Sequence, residues 1–326
     1  MEAVEATNKP IPSTHNLITL NQKPIREIKY NSDGDFIFGC SQDAITTMTN
    51  RNGQVIGTFE RDGGAVNTLL PLECTLITAS SDTKLVSWDI LTGKMLSELE
   101  TDSIVRAIDG SESALYIASD NSMGIQGYIG RVDLRTNKIE RLFMPTVSST
   151  KGFIKDDCFI CGNEIGEVHK YGTMSQETST TKPHHLKITS LNPSACKSFF
   201  VTSSLDSTIK IVDSGSLETK KKFKAEEPVN SAAIFPTNDI VISGGGINAR
   251  DVTTTKGKST FDTCFYDIVT THRVGFYNAH IGPINSVAVA PDGKQVATGG
   301  EDGRIALVQM GDDFRSGGFT SLFQSE

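Results

Sequence analysis

A three-residue core recurs along the chain at an almost constant spacing. In its last copy, residues 284–286, a β-branched residue is followed by a polar residue and then by a small one. The seven copies begin at Ile25, Val66, Val105, Val147, Ile188, Val229 and Ile284, at intervals of 41, 39, 42, 41, 41 and 55 residues. A sustained period of this length predicts a repeat architecture, in which each copy is one structural unit.

Each copy predicts four short strands. In the second copy, "LITASSDTKLVSWDILTGKMLSELE", turns at Asp82 and at residues 92–93 separate three strands that are rich in β-branched and apolar residues. Four strands in about 40 residues make one propeller blade. Since no segment carries a sustained apolar period of 3.6 residues, the sequence predicts an all-β fold, a seven-bladed β-propeller with four antiparallel strands per blade.

The ring is expected to close through the N-terminal part of the chain. A propeller that leaves its first and last blades unjoined exposes an open sheet edge, and the apolar residues 17–20 can supply the outermost strand of the last blade. The expected organisation is a flexible N-terminal extension at residues 1–13, the propeller at residues 14–308 and a C-terminal tail at residues 309–326.

Polar residues also recur at fixed places in the copies. Turn carboxylates stand at Asp43, Asp82, Asp120, Glu164, Asp206 and Asp302, and serines stand two positions before three of them, at Ser41, Ser80 and Ser204. Four positions before the β-branched residue of the core stand His184 and His280, replaced in other copies by Asn21 and Asp62. We interpret these residues as a structural hydrogen-bond set within the blades, comprising His184, Ser204, Asp206, His280, Asp302, Ser80, Asp82 and Trp88.

Together these residues form the WD-repeat pattern in a degraded form. Only Trp88 and Asp89 form the Trp-Asp dipeptide of this repeat, whereas Asp133 and Asp213 are the aspartates of copies that lack the tryptophan. The number of blades therefore rests on the spacing of the copies rather than on their signature residues.

Two groups of residues could carry chemistry. The Glu301 and Asp302 pair could act as general acid and base, but no nucleophile or second base converges with it in the sequence. Cys158 and Cys161 have the spacing of zinc ligands, with His169 downstream, but they fall in a predicted strand where their side chains face opposite sides. We expect buried thiols, no metal, no cofactor, no small-molecule substrate and no catalysis.

Two further runs have structural explanations that compete with functional ones. Residues 244–246 are three glycines that suggest a phosphate loop, but no Gly-Lys-Ser/Thr ending follows, so a close approach of two backbones is favoured. Residues 220–224, "KKKFK", are the compact basic run of the chain. A solvated edge strand is the favoured interpretation, and direct contact with RNA or the ribosome is the alternative.

Composition narrows the class of partners. A net charge of −8 disfavours autonomous binding to nucleic acid, so we expect no DNA partner and contact with RNA through other proteins. Glu2 and Glu5 stand where a signal peptide has basic residues, and no apolar run of about 18 residues follows. Six dispersed cysteines suit reduced thiols in a chain of this size. The sequence predicts a cytoplasmic protein without membrane contact.

The copies six and seven resemble a specific family. Residues 227–255 contain the triple glycine and the run "DVTTT", and the strand "GPINSVA" and the turn "GGEDG" follow in the same order. This arrangement resembles subunit i of eukaryotic translation initiation factor 3, a family of seven-bladed WD-repeat proteins. Residues 25–38 and 161–171 resemble the first and fourth blades of that family. The chain departs from it in most Gly-His and Trp-Asp dipeptides, in the N-terminal extension and in the tail.

The resemblance implies a scaffold without catalytic activity. Its expected partners are subunits b and g of the factor and, through the complex, the small ribosomal subunit. The acidic residues flanking blades five and six, Asp213, Glu226 and Glu227, are candidates for contact with a basic partner. Two alternatives stay open, a WD-repeat adaptor of another assembly, in RNA processing or receptor signalling, and a propeller hydrolase that holds a metal in its central channel.

Overall fold

The chain folds as a closed ring of seven sheets. The computed structural model describes residues 15–19, 22–175, 177–247 and 259–311, and these residues form seven four-stranded antiparallel sheets. The predicted all-β, seven-bladed propeller is therefore confirmed. Within the same ranges the remaining regular element is a 3₁₀ turn at Ser122–Gly124. No helix in this described part is long and apolar enough to cross a membrane.

The strands follow one another from the centre of the ring outward in each blade. Blade one contains β2 Ile25–Tyr30, β3 Phe36–Ser41, β4 Ile45–Asn50 and β5 Val55–Glu60. Blade two contains β6 Val66–Pro71, β7 Thr75–Ser80, β8 Lys84–Asp89 and β9 Met95–Glu100. Blade three contains β10 Val105–Ser111, β11 Ala114–Ser119, β12 Ile129–Asp133 and β13 Lys138–Phe143. Blade four contains β14 Ser149–Lys155, β15 Cys158–Asn163, β16 Val168–Gly172 and β17 Thr178–Thr181.

The last three blades have the same order. Blade five contains β18 Ile188–Pro193, β19 Phe199–Ser204, β20 Thr208–Asp213 and β21 Thr219–Lys224. Blade six contains β22 Val229–Ile234, β23 Ile240–Gly245, β24 Thr263–Asp267 and β25 Arg273–Tyr277. Blade seven contains β26 Ile284–Val289, β27 Gln295–Gly300 and β28 Ile305–Gln309, and β1 His15–Ile18 is its outermost strand.

The N-terminal strand closes the ring, as the sequence predicts. β1 pairs antiparallel with β28, with Leu17 opposite Ala306 and Ile18 opposite Ile305. The strand begins and ends two residues before the predicted range, and Leu20 lies outside the described residues. The predicted extension at residues 1–13 also lies outside them, as do residues 312–326 of the predicted tail.

Each boundary between neighbouring blades has its own apolar cluster. Phe265 and Tyr277 of blade six pack against Ile284 and Val308 of blade seven, for example, and the other six boundaries are filled in the same way. The second strand of each blade is therefore buried on both faces, whereas the outermost strands are mostly exposed. Burial of apolar surface between blades is the main force that holds the ring together.

The recurring core joins one blade to the next by hydrogen bonds. In blades six and seven its polar residue donates to a carbonyl of the following blade, with Asn285 Nδ2 bonded to Ile25 O at 3.0 Å and Asn230 Nδ2 to Ile284 O at 3.0 Å. Its small residue accepts from a backbone amide, as Ser286 Oγ does from Ile28 N at 2.9 Å. The polar and small residues of the core thus pair with backbone groups on the innermost strand of the next blade.

Blade four differs from the predicted register. Its inner strand begins at Ser149, which lies opposite Asn163 just as Val66 lies opposite Ser80 in blade two. The structural equivalent of the β-branched residue is therefore Ser149, and the assignment of Val147 to this position was wrong by two residues. The residues predicted as the polar and small members of this copy therefore do not occupy the same structural positions as those of the other blades.

The glycines of residues 244–246 allow two close approaches. A Cβ at Gly244 would lie 2.5 Å from Cγ2 of Ile284, and one at Gly245 would lie 2.1 Å from the carbonyl oxygen of Pro228. Both residues belong to the end of β23 rather than to a turn. Glycine is needed at position 244 because blade seven leaves no room for a side chain, and at position 245 because the backbone of Pro228 in blade six approaches closely. The run "DVTTT" that follows lies outside the described residues.

Candidate functional site

Blade seven contains a buried histidine and carboxylate pair. Nδ1 of His280 lies 3.0 Å from Oδ1 of Asp302, and Nε2 lies 2.9 Å from Oγ1 of Thr298. The carboxylate also accepts from the amides of Ile281 and Arg304. Burial alone would raise the pKa of Asp302, but these hydrogen bonds and the His280 ring hold it below its usual value. The carboxylate is thus occupied by groups of its own blade.

Blade five contains the same arrangement. Nδ1 of His184 lies 3.2 Å from Oδ2 of Asp206, and Nε2 lies 2.9 Å from Oγ1 of Thr202. Burial of the ring lowers the pKa of His184 to about 4, although Asp206 opposes this shift. Ser204 accepts from the amide of Asp206 at 3.1 Å and donates to a carbonyl of the preceding loop. The imidazole is therefore neutral at pH 7.

Blade two builds the corresponding contact with an arginine. Arg61 contacts Asp82 and Ser80 through Nη2, and Ser80 itself donates to Asp82. Asp62, which the sequence suggested as the replacement for histidine, does not take this place. Trp88 is buried in the same blade, and its Nε1 donates to Oγ1 of Thr78 at 2.9 Å. Arg61 is a residue that the sequence analysis missed, because it stands one position before the expected site.

The third blade places its turn carboxylate one residue early. Ser119, like Ser80, lies opposite the first residue of the inner strand, but Asp120 follows it directly, whereas Asp82 stands two positions after Ser80. Asp120 accepts from Nε of Arg106 at 2.6 Å. Arg106, the polar residue of this core, therefore pairs within its own blade instead of with the next one.

The fourth blade replaces the carboxylate with an amide. Asn163 Oδ1 accepts from the amides of Ile165 and Glu167 at 3.1 and 2.8 Å. Glu164 points away from this turn and forms an exposed ion pair with Lys187 at 3.1 Å. The sequence assigned the turn position to Glu164, and the structure assigns it to Asn163.

The cysteine pair does not form a ligand set. Cys158 begins β15 and Cys161 lies three residues farther along it, buried with its thiol 3.8 Å from Oγ of Ser149. Burial raises the pKa of Cys161 to about 12. His169 lies opposite Cys161 in the pairing of β15 with β16, but its ring nitrogens contact Asn163, Glu167 and Thr180. Across the described ranges no three His, Cys, Asp or Glu residues are grouped so that they could hold a metal ion.

The central channel contains charged residues that pair with one another. Its cavity has a volume of about 350 Å³. Lys151 of blade four lies 2.8 Å from Oε1 of Glu27 of blade one, and Lys197 lies 3.3 Å from Oδ2 of Asp109. Burial would raise the pKa of Glu27, but the charges of Lys151 and Lys29 lower it to about 2. The turn aspartates do not line this cavity, and the two carboxylates that do, Glu27 and Asp109, each pair with a lysine.

A larger groove lies on the outside of the ring between blades five and six. Its volume is about 820 Å³. Phe199 and Val269 line it and are 41% and 68% exposed, and Pro236 is a further apolar residue of the lining. Lys221 and Asp239 supply charges of both signs at its edges. An apolar groove with a charged rim is the form of surface that accepts a protein segment.

The groove also contains a reactive thiol. Cys196 is exposed, and hydrogen bonds from Ser198 and Ser194 lower its pKa to about 7. A thiol with this pKa is substantially ionised at neutral pH and reacts with alkylating reagents. Cys74 is a second exposed cysteine and lies in blade two, away from the groove.

The structure separates the three acidic candidates for partner contact. Asp213 ends β20 and accepts from the amides of Gly215 and Ser216, so its side chain shapes the following turn. Glu226 is exposed beyond the other end of β21, 3.8 Å from Nη1 of Arg273. Glu227 is its neighbour and accepts from Ser259 at 2.6 Å. Asp213 and the two glutamates thus stand at opposite ends of blade five.

Comparison with known proteins agrees with the resemblance found in the sequence. The model of the family EIF3I matches residues 17–319. The eukaryotic translation initiation factor 3 subunit I of Homo sapiens is 36% identical over 307 residues, which cover 89% of this chain and 94% of that protein. The subunit I of Bombyx mori is 35% identical over 310 residues, with 88% and 92% covered. The chain therefore belongs to the family of eukaryotic translation initiation factor 3 subunit I.

Proposed function

We propose that the chain is a non-catalytic scaffold subunit of translation initiation factor 3 in the cytoplasm. It binds subunits b and g and supports assembly of the initiation complex on the small ribosomal subunit. Family membership supports the assignment to this factor over an adaptor of RNA processing or receptor signalling. The propeller, residues 14–308 in this proposal, is a rigid body whose outer surface is available to several partners.

The groove between blades five and six is the observation that carries the proposal. Phe199 and Val269 are large apolar side chains that remain exposed at a concave surface. Exposed apolar groups in a pocket act as anchors for a partner, because burying them on binding releases water from both surfaces. Lys221 and Asp239 at the edges can select the orientation of a charged segment.

The dimensions of blade five suggest the form of the partner. Asp213 and Glu226 are separated by the length of β21, which is about 20 Å for six residues. A helix that contacts both ends must be about 13 residues long, since an α-helix rises 1.5 Å per residue. An amphipathic helix of this length, with apolar residues toward the groove and basic residues near its ends, fits the surface. We assign this helix to the C-terminal segment of subunit b.

Alkylation of Cys196 tests this assignment directly. The full chain is treated with iodoacetamide, with and without the C-terminal segment of subunit b, and modification of Cys196 and Cys74 is followed by mass spectrometry. A segment in the groove should slow modification of Cys196 at least tenfold and leave Cys74 unchanged. Docking in the groove would be contradicted if the bound segment protected both cysteines equally, or if it protected neither of them.

Substitution of the apolar anchors provides the matched test. Phe199→Asp with Val269→Asp should abolish retention of the subunit b segment in a pull-down. Leu91→Asp is the control, because Leu91 is 86% exposed and lies in blade two. Recovery of subunits b and g with the full chain from extract tests the wider scaffold. Recovery of a different complex without these subunits would reject the proposed function.

A further inference from the structure

A second charged surface lies between blades four and five, on the side of blade five that faces away from the groove. Ile160 and Val168 of blade four pack against Phe200 and Val212 of blade five, so these faces of the two blades look toward each other. Farther from the channel the same two faces carry cationic residues. We name this surface the lysine cleft and define it by Lys170, Lys210, Lys222 and Lys224.

Blade five supplies three of the four lysines. Lys222 lies opposite Lys210 in the pairing of β20 with β21, and Lys224 lies opposite Thr208. Residues at alternate positions of a strand point to the same side, so these lysines share the face of Val212. Lys222 and Lys224 are exposed and about 7 Å apart along the strand. Lys210 is partly buried and donates to the carbonyl of Pro183.

Blade four supplies the fourth lysine and a row of hydroxyl groups. Lys170 lies opposite Ser179 and Val168 lies opposite Thr181 in the pairing of β16 with β17. Both hydroxyl residues therefore face the cleft. Nζ of Lys170 reaches the carbonyl oxygen of Gly215 in blade five at 3.2 Å. The cleft thus has lysines along one wall and hydrogen-bond donors along the other.

Among the described residues the exposed lysines of the cleft have no ion-pair partner, although the charge of Asp206 acts on the partly buried Lys210. Asp206 is held inside blade five by His184, and Glu218 pairs with Lys220 at the turn before β21. Within the described residues no ion pair joins Lys222 or Lys224 to an acid. Like charges directly opposite each other on two strands destabilise a sheet. Lys210 and Lys222 repel each other in this way, and a bound anion would offset the repulsion.

The residues that face the cleft favour a phosphate backbone over a protein segment. Its exposed positions are lysines and hydroxyl residues, without the aromatic or large apolar anchor that a protein partner normally needs. Contacts to phosphate need only cations and hydrogen-bond donors. The exposed lysines form one short row, about 7 Å long on β21, which suits the backbone of one strand rather than the two backbones of a duplex. We propose that the lysine cleft binds the phosphate backbone of single-stranded RNA.

This proposal does not depend on docking of subunit b, because the cleft and the groove lie on opposite sides of blade five. The net charge of −8 repels RNA elsewhere, so binding should be confined to the cleft and sensitive to salt. For contacts to three phosphates the slope of log affinity against log salt is about −2 for a single strand. Affinity should then fall about 15-fold between 50 and 200 mM salt.

The test uses the full chain and a fluorescein-labelled RNA of twelve uridines. Fluorescence anisotropy in 50 mM salt should show binding that weakens at least tenfold in Lys222→Glu with Lys224→Glu. The matched control is Lys94→Glu with Lys138→Glu, which changes the net charge equally at exposed positions of other blades and should stay within threefold of the parent. Lys222→Arg with Lys224→Arg should bind as the parent does.

The proposal would be overturned if the chain did not bind the RNA in 50 mM salt, or if both glutamate variants bound it equally weakly. It would also be overturned if a twelve-residue polyglutamate peptide bound as tightly as the RNA. The last result would assign the cleft to an acidic protein segment. If the glutamate variant of the cleft melts at a lower temperature than the parent, Lys222→Gln with Lys224→Gln replaces it, and unchanged affinity in that variant would also reject the proposal.

Discussion

The buried histidine of blade five should make the stability of the ring depend on pH. The pKa of His184 is lowered to about 4 by burial, whereas an exposed histidine in the unfolded chain has a pKa of about 6.5. Below pH 6.5 the unfolded state therefore takes up a proton that the folded state does not, and stability falls as pH decreases toward 4. From pH 7.5 to pH 5 this residue should lower the free energy of unfolding by about 2 kcal/mol.

Variants of two adjacent histidines isolate this contribution. His184→Gln removes the titrating ring, and His185→Gln removes an exposed neighbour that only contributes its amide to Asp206. Urea unfolding at both pH values should show that about 2 kcal/mol of the pH dependence disappears in the first variant and remains in the second. If His184→Gln is as sensitive to pH as the parent, the ring is not the group that titrates.

At the scale of single residues, sequence position predicts some partners and misses others. His280 and Asp302 could be paired from their recurrence alone, because both blades with a histidine keep the same offsets. Arg61 could not be found by offset, because a long side chain reaches the carboxylate from the preceding position. Asn163 was not predicted, because the adjacent Glu164 has a carboxylate that could accept the same backbone hydrogen bonds as the amide oxygen of Asn163.

At the scale of elements, the closing strand depends on one inward-facing side chain. Ile18 is 7% exposed and packs with Ile305 and Leu307, whereas its neighbour Leu17 is 40% exposed. Ile18→Asp places an unpaired charge in this cluster and should lower the free energy of unfolding by about 3 kcal/mol. Urea unfolding measures the change.

Leu17→Asp is the matched control for the closing strand. The same substitution on the outward face of the same strand should cost less than about 1 kcal/mol, because the carboxylate remains in water. Equal effects of the two substitutions would show that β1 does not pack with the alternation that its pairing with β28 implies.

The elements were predictable where they are local and repeated. Strand lengths and the closing strand follow from the period, the turns and the need to pair an open edge. The start of β14 was not predictable, because Val147 fits the core pattern two residues before the true start at Ser149. The groove and the lysine cleft could not be located, since each depends on which face of a strand meets the next blade.

At the scale of the whole molecule, an ion pair across the channel joins blades that are not neighbours. Lys151 of blade four contacts Glu27 of blade one, and the other oxygen of Glu27 accepts from the amide of Leu69 in blade two at 3.1 Å. Each apolar cluster joins one blade only to the next, and the pair of Lys197 in blade five with Asp109 in blade three is a second contact that skips a blade. The pair of Glu27 and Lys151 instead connects distant parts of the ring. Its removal should therefore change the free energy of unfolding of the whole propeller.

Lys151→Met leaves Glu27 as a largely buried carboxylate without its partner and should lower the free energy of unfolding at pH 7 by about 3–5 kcal/mol. This decrease in the free energy of unfolding should become smaller as pH falls from 7 to 4. In the absence of Lys151, burial raises the pKa of Glu27, and protonation then removes its charge. Glu27→Gln combined with Lys151→Met should recover most of the stability, and Lys155→Met on the same strand should have little effect. Urea unfolding of the parent chain, Lys151→Met, Glu27→Gln and the double variant gives the coupling energy. Additive losses in the double variant would mean that the two side chains stabilise their own blades and do not tie the ring across its centre.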